Sequence, residues 1–201
     1  MRGMKKKKIM LGFLLLSAAV LIGDGCWIKA KAVLAQILLQ RAWQQTLMLG
    51  RPVKAWPWAD TWPVARLRVE RLGVDVIVLE GESGEVLAFG PGHLAASAQP
   101  TDSGNCALAG HRDTSFSFLA DIRKGDIVSM QARSGRERRY QITSTAVERY
   151  DHLFLEDTTS PWLTLITCYP FNSPVPGGLL RFIVFARMVP GPEGAVAGPV
   201  L

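Results

Sequence analysis

The feature that most constrains the fold is a series of short apolar runs between residues 64 and 189, separated by turn residues. Val, Ile, Leu and Thr dominate the runs, and branched side chains favour extended strands because they pack well on a pleated surface. The predicted strands are Ala65–Val69, Val74–Leu79, Asn105–Ala109, Ile127–Ala132, Arg138–Tyr150, Leu163–Thr167 and Leu180–Arg187. Many short strands with little helical periodicity are typical of an all-β barrel or sandwich. Short helical pieces are expected near Ala95 and between Phe116 and Ile122.

The N-terminus has a different character. A lysine run at residues 5–8 precedes a stretch from Ile9 to Gly23 that contains no charged residue. Continued to Ile28, this stretch contains only one acid and reaches about the 20 residues that a helix needs to cross a bilayer. Because basic flanks stay on the cytoplasmic side, we expect residues 1–8 to be cytoplasmic and residues 9–28 to be a single-pass signal anchor in the cytoplasmic (inner) membrane. A cleaved signal peptide is the alternative, although no A-x-A-like cleavage site follows the stretch cleanly.

Residues 29–63 are expected to connect this anchor to the folded domain. From Ala30 to Leu49 the chain is rich in good helix formers, and Gly and Pro appear only after this run, which predicts an amphipathic helix. Its predicted apolar face consists of Val33, Leu34, Ile37, Leu38, Ala42 and Leu47. The Trp- and Pro-rich segment that follows is expected to be extended, because proline excludes a regular helix or a central strand. Its aromatic side chains would pack on the domain surface or, alternatively, bind a partner.

The net charge of +6 does not indicate nucleic-acid binding. Five of the 23 basic residues lie in the first eight positions, so the rest of the chain has 18 basic and 17 acidic residues. This near balance gives no basic surface for a phosphate backbone, and no nucleic-acid partner is expected. At the other end, the Pro- and Gly-rich tail 190–201 is expected to be flexible.

Three side chains with catalytic potential lie at predicted strand ends: His111 and Cys168 each follow an apolar strand, and Arg181 begins another. Rigid strands that end in loops commonly position catalytic groups. Taken singly, such residues are more often structural, as we expect for Cys106 and His93. Taken together, the three supply a nucleophile, an acid/base group and a cationic donor for an oxyanion. The odd number and wide spacing of the cysteines exclude a disulfide framework or a zinc site.

The motifs NCALAGHRDT, FLADIRKGD, RRYQITS, WLTLITCYPF and RFIVFAR together resemble the sortases, which are cysteine transpeptidases of bacterial surfaces. The resemblance covers residues 64–189 and implies that this domain is a closed β-barrel of about eight strands with short helices. It implies that Cys168 is the nucleophile, His111 the acid/base and Arg181 the residue that stabilises the oxyanion or the substrate. Thr167 would contribute a substrate contact through its hydroxyl or its backbone N–H.

The resemblance also implies the reaction and the partners. Cys168 would attack a carbonyl in an LPxTG-like C-terminal sorting signal of an exported protein, and an amine on the cell envelope or on another protein would resolve the thioacyl-enzyme. The resting Cys–His pair would be either thiolate–imidazolium or neutral. No acidic cluster resembles the calcium-binding loops of some sortases, so no metal or other cofactor is expected. Specificity is expected in the loop Tyr150–Pro161, while Arg112 and Asp113 would either orient the histidine or be solvated.

The tryptophan-proline runs and the Cys168-Tyr169-Pro170-Phe171 ending are similar to a sortase subclass of Gram-negative bacteria, which implies a domain that faces the periplasm. An L,D-transpeptidase-like cross-linker is disfavoured, because its histidine, glycine and arginine lie very close to the cysteine. A papain-like protease places its cysteine at a helix start, whereas Thr-Leu-Ile-Thr before Cys168 predicts a strand. A membrane-tethered β-barrel that only binds a partner remains the alternative from another class.

Overall fold

The computed structural model describes residues 2–152, 158–175 and 177–190. The chain divides into two compact units, Met1–Leu38 and Leu39–Leu201. A long helix α1, Arg2–Leu49, comes first. The strands are β1 Pro63–Val69, β2 Val74–Glu80, β3 Gly92–His93, β4 Asn105–Ala109, β5 Ile127–Ala132, β6 Glu137–Arg149, β7 Trp162–Tyr169 and β8 Leu180–Val189. Short helices are α2 Gly84–Leu87 and the 3-10 helices Glu70–Leu72, Ser117–Asp121 and Tyr150–His152.

The eight strands form a closed barrel in the order β1-β2-β3-β4-β7-β8-β6-β5. Most neighbours are antiparallel, but the β2–β3 and β4–β7 pairs are parallel. The predicted closed β-barrel with short helices is therefore confirmed. Strand β3 closes the barrel through only two residue pairs with each neighbour, and closure brings β4 beside β7 although they are far apart in sequence.

The barrel interior is the main core. Side chains alternate along each strand, so one face of β1, β5, β7 and β8 supplies apolar groups to the inside. Fully buried members include Leu67, Met130, Leu163, Leu165 and Val184. Truncating one such Leu to Ala costs about 2–5 kcal/mol. The interior therefore holds the strand ends rigidly enough to position a site at the rim.

The C-terminal part of α1 packs in a second, smaller core. Leu39 and Trp43 are buried there against Ile77 and Leu79 of β2. The predicted apolar face of this helix is confirmed in part: Ala42 is buried and Leu38 and Leu47 are half-buried, with Leu47 packed against this core, whereas Val33, Leu34 and Ile37 are exposed. The buried side chains of this part of the helix are Leu39, Ala42, Trp43 and Thr46, and the large indole of Trp43 lies at their centre. In the described part of the chain, no helix combines the length and the apolarity that a membrane crossing requires.

Two short elements between β2 and β4 are not predicted from the sequence. Helix α2 begins at Gly84 and is capped by the Ser83 hydroxyl, which accepts a hydrogen bond from the Val86 amide. Strand β3 was missed because two residues give no periodicity, and the residues near Ala95 form a turn, not a helix. The helical piece predicted before Ile122 is confirmed as Ser117–Asp121. Tail residues 191–201 lie outside the described residues.

Candidate active site

The ends of three strands meet at one edge of the barrel. β4 and β7 are parallel neighbours with Ala109 opposite Ile166, so their C-terminal ends lie at the same edge. β8 runs antiparallel to β7 and begins at this edge, where Arg181 lies directly opposite Cys168. His111 follows β4 by two residues. The strand register thus brings the segments that carry all three predicted residues to one rim.

Cys168 and Arg181 project on the outer face of the barrel. Successive side chains of a strand point to opposite faces, and Leu163 and Leu165 of β7 belong to the barrel core. The side chain of Thr167 therefore points inward, whereas that of Cys168 points outward beside its cross-strand partner Arg181. Directly opposed residues have Cβ atoms about 4.5–5.5 Å apart. The thiol and the guanidinium, both partly exposed, can therefore contact the same bound group.

Thr167 joins the strand of Cys168 to the segment of His111. Its buried hydroxyl donates a hydrogen bond to the Gly110 carbonyl at 2.7 Å. The Gly110 amide in turn donates to the Ile166 carbonyl at 3.1 Å. Such buried bonds contribute about 1 kcal/mol each, and more is lost when one partner is removed. They fix the backbone just before the histidine against the backbone just before the cysteine.

His111 begins a tight loop that closes over a phenyl ring. Its carbonyl accepts a hydrogen bond from the Phe116 amide at 2.9 Å. The Phe116 side chain is fully buried, and it lies so close to Gly110 that a Cβ there would be 2.7 Å from Cγ of the ring. Position 110 therefore accepts only glycine without rearrangement. The imidazole of His111 is exposed at the rim.

The guanidinium of Arg181 is held by backbone and by an aromatic ring. Nη1 donates to the carbonyls of Gly178 and Leu180, at 2.8 and 3.0 Å. The guanidinium carbon lies 5.7 Å from the centre of the Tyr150 ring, a cation–π distance. Tyr150 was not predicted as a site residue, because nothing in the sequence shows that the end of β6 lies beside the start of β8. These contacts orient the guanidinium before any substrate binds.

Arg112 is buried, with only 7% of its surface exposed, and the interpretation of it as a solvated loop charge is wrong. It donates to carbonyls of the segment that links β7 to β8. Asp113, in contrast, is exposed as expected of a loop charge. The alternative prediction, that Arg112 orients the histidine, stays a prediction, and no sequence pattern identifies its acceptors, because they are backbone atoms.

The segment that leaves Cys168 is stabilised by an aromatic cluster. The rings of Phe171 and Phe182 have centroids 5.2 Å apart at an angle of 66°. Tyr169 stacks on Phe182 with centroids 6.3 Å apart. Offset and edge-to-face pairs of this kind contribute beyond their buried area. The cluster lies on the opposite side of β7 and β8 from the thiol, so it supports the two strands from behind.

The other cysteine and histidine of the domain have structural environments. Cys106 is confirmed as a buried core thiol, and burial, together with the charges of Glu80 and Asp102, raises its pKa far above the usual range. His93 is fully buried, with Nδ1 at 3.2 Å from a Glu80 carboxylate oxygen and Nε2 at 3.0 Å from the Ala98 carbonyl. A thiol that stays protonated cannot be a nucleophile at neutral pH. Cys168 is therefore the cysteine of the barrel suited to catalysis.

Comparison with known proteins identifies a family. A family model described as a Sortase domain matches residues 67–189. Sortase D of Bacillus subtilis (strain 168) is 30% identical over 125 residues, a match that spans 61% of this chain and 62% of that relative. Within the described residues, no group of three or more His, Cys, Asp or Glu side chains is placed to hold a metal ion.

Solved structures share the fold. A sortase D5 transpeptidase from Clostridium perfringens superposes with a TM-score of 0.64 at 20% identity, covering 79% of this chain and 99% of that one. Sortase A from Corynebacterium diphtheriae gives a TM-score of 0.59 at 23% identity, covering 68% of this chain and 66% of that one. At these identities the similarity establishes the barrel architecture alone.

Proposed function

The chain belongs to the sortase family, and from that premise we propose that it is a cysteine transpeptidase whose nucleophile is Cys168. The observation that carries the proposal is the register of β7 and β8, which sets a partly exposed thiol directly opposite a guanidinium. The segment of a histidine is joined to the same strand by the Thr167–Gly110 hydrogen bond. The three groups of a covalent acyl-transfer site thus share one rim.

The first half of the reaction forms a thioester. The sulfur of Cys168, as thiolate, adds to a substrate carbonyl carbon and forms a tetrahedral intermediate with a negative oxygen. Arg181 stabilises that oxygen by charge and hydrogen bonding, and the pre-orientation of its guanidinium lowers the reorganisation needed. His111 donates a proton to the leaving amine as the C–N bond breaks. The acyl group then remains on sulfur.

The second half returns the enzyme. An acceptor amine adds to the thioester carbon, His111 takes its proton, and the C–S bond breaks to release the thiolate and a new amide. Because the thioester splits one amide exchange into two steps, each step has a lower activation barrier than direct aminolysis of the amide. The protonation state of the resting Cys168–His111 pair, thiolate–imidazolium or neutral, sets the fraction of enzyme that can react. The order in which bonds form and break is the same in both cases.

The proposed substrate is an exported protein with an LPxTG-like C-terminal signal, and the acceptor is an amine on the envelope or another protein. Support comes from the segment between Cys168 and Arg181 and from the ring beside Arg181, where Val175, Leu179 and Tyr150 expose apolar side chains. Exposed apolar groups of this kind suit a peptide that carries apolar residues. We further propose that Thr167 assists by positioning, because its hydroxyl already bonds to Gly110. The loop Tyr150–Pro161 remains the predicted specificity loop, and its residues 153–157 lie outside the described residues.

For localisation we propose a single-pass anchor at residues 9–28 in the cytoplasmic membrane, with the N-terminus inside and the barrel in the periplasm. The support is the sequence alone: a lysine run followed by an uncharged apolar stretch within helix α1. Carbonate extraction of membranes from cells that express the full chain tests this. Retention in the pellet, with protease access to the barrel only after the outer membrane is opened, is expected. Release of the full-length chain into the carbonate supernatant would contradict it.

The catalytic proposal is tested with the full chain, a panel of Leu-Pro-X-Thr-Gly peptides and hydroxylamine as the acceptor. Wild type should convert at least one peptide to a hydroxamate, and Cys168→Ala should form none while retaining the wild-type melting temperature. Cys26→Ala is the matched control, because Cys26 is exposed in the other unit and should be dispensable. Turnover by Cys168→Ala at the wild-type rate would refute the assignment. A wild type that binds these peptides without altering them would favour the binding-module alternative.

A further inference from the structure

The buried guanidinium of Arg112 lies between the His111 loop and the segment that links β7 to β8. Nη2 donates to the carbonyls of Ser173, at 3.1 Å, and Val175, and Nη1 donates to that of Gly177 at 3.4 Å. Within the described part of the chain these three carbonyls are its hydrogen-bond partners. A buried cation is costly unless its protons are satisfied, so the three acceptors form a specific socket for it.

The three carbonyls of the socket belong to the segment between Cys168 and Arg181. Residues 170–179 connect Tyr169, next to Cys168, with Leu180, next to Arg181. Within the segment, the Ser173 hydroxyl also donates to the Val175 carbonyl at 3.1 Å. The Val175 carbonyl thus accepts from both the segment and Arg112. The Arg112 side chain therefore joins the segment that follows β7 to the backbone next to His111.

We propose that Arg112 is a positioning residue that locks the β7–β8 segment and the His111 loop into a single unit, an inference that rests on the proposed catalytic roles of Cys168 and His111. Arg112 touches no reacting atom. It acts through the adjacent residue His111 and through the β7–β8 segment that a substrate peptide would contact. The acceptors of Arg112 are backbone carbonyls, so these hydrogen bonds do not depend on the side chains of the segment.

The geometry of the socket requires a guanidinium. Its planar fork directs protons toward several acceptors at fixed angles, whereas an ammonium group is a single point with flexible donors. Arg112→Lys keeps the charge but cannot reach three carbonyls that two separate nitrogens now serve. Displacement of a catalytic group by about 1 Å can lower a rate about 100-fold. Loss of the socket should therefore impair catalysis without removing any catalytic atom.

The test uses the full chain as wild type, Arg112→Lys, Arg112→Gln, His111→Ala and Arg138→Lys. Arg138 is the matched control, since it also donates to a backbone carbonyl, that of Asp102 at 3.2 Å, but is only half-buried and lies at the end of β6 away from the rim. One measurement is hydrogen exchange of the amides in 171–175 and 177–179. The other is the pH profile of iodoacetamide alkylation at Cys168, quantified on its own peptide so that the exposed Cys26 does not interfere.

Both Arg112 variants should show at least tenfold faster exchange in the segment and an alkylation profile displaced toward that of His111→Ala, while Arg138→Lys matches wild type. Arg112→Lys decides the outcome if Arg112→Gln does not fold. Wild-type exchange in Arg112→Lys would overturn the proposal. Fast exchange with an unchanged alkylation profile would also overturn it, because the segment would then be held without any effect on the histidine. A His111→Ala profile equal to wild type would instead contradict the proposed Cys–His pair and leave the exchange result to be judged separately.

Discussion

Substituting Gly110 by alanine tests whether the position of His111 is set by packing. The added methyl would lie 2.7 and 2.8 Å from Cγ and Cδ2 of Phe116 and 3.0 Å from the Ser115 hydroxyl. The phenyl ring cannot withdraw easily, because it is fully buried in the barrel core. Either the ring or the end of β4 must move, and overpacking of this kind costs about 1–3 kcal/mol. In a chain of this size that corresponds to a fall in melting temperature of about 2–12 °C.

Because the Gly110 carbonyl and amide both bond to β7, a shift of this backbone also moves His111 relative to Cys168. We expect kcat/KM for peptide transfer to fall by one to two orders of magnitude, about the effect of a displacement near 1 Å. The assay pairs thermal unfolding with hydroxamate formation. The second substitution Phe116→Leu, which removes the ring, should restore part of both losses, so the two changes should be non-additive.

Gly84→Ala is the matched control, since a Cβ there meets nothing within 4 Å and the residue begins α2, where alanine is a better helix former. It should leave activity unchanged and stability equal or slightly higher. If Gly110→Ala kept both the wild-type melting temperature and the wild-type rate, the contact with Phe116 would not set the position of the histidine.

Two further predictions concern the rim and the barrel. Arg181→Lys should lower kcat/KM at least tenfold and leave the fold intact, because an ammonium does not reproduce the guanidinium fork; a wild-type rate would contradict the oxyanion role. The hydrogen bond from Arg71 holds the pKa of Asp126 below its usual range. That bond therefore adds stability above about pH 4 which is lost as the pH falls through the lowered pKa. Asp126→Asn should thus be less stable than wild type at neutral pH, and the difference should shrink as the pH is lowered in urea titrations, whereas a constant difference would refute the linkage.

The sequence predicts most strands of the barrel well, because each is marked by a local run of branched apolar residues. Branched residues before Cys168 and after Arg181 mark β7 and β8, and the structure confirms that both residues lie at strand ends. It also predicts that Cys106 is a core thiol, because that residue lies within an apolar strand. Local pattern cannot give the register, however, and the pairing of Cys168 with Arg181 depends on it.

What the sequence does not reveal depends on distant backbone atoms or on large side chains. The acceptors of Arg112 lie 61 to 65 positions later in the chain and are carbonyls, which every residue possesses. The buried face of α1 was only partly predicted, because periodicity alone does not distinguish small from large apolar residues and the fully buried Trp43 was not assigned to that face. Helix α2 was hidden in a glycine-rich turn and depends on the cap that Ser83 provides.

The most direct test of the central claim is to trap the acyl group on its sulfur. The full chain is incubated with a Leu-Pro-X-Thr-Gly peptide that it cleaves, without an added amine, quenched in acid and examined by intact-mass and peptide-level mass spectrometry. We expect one adduct on Cys168, equal in mass to the N-terminal part of the peptide less water, that hydroxylamine removes and that is absent from Cys168→Ala. Cleavage without any such adduct, or an adduct on Cys26 instead, would contradict Cys168 as the nucleophile.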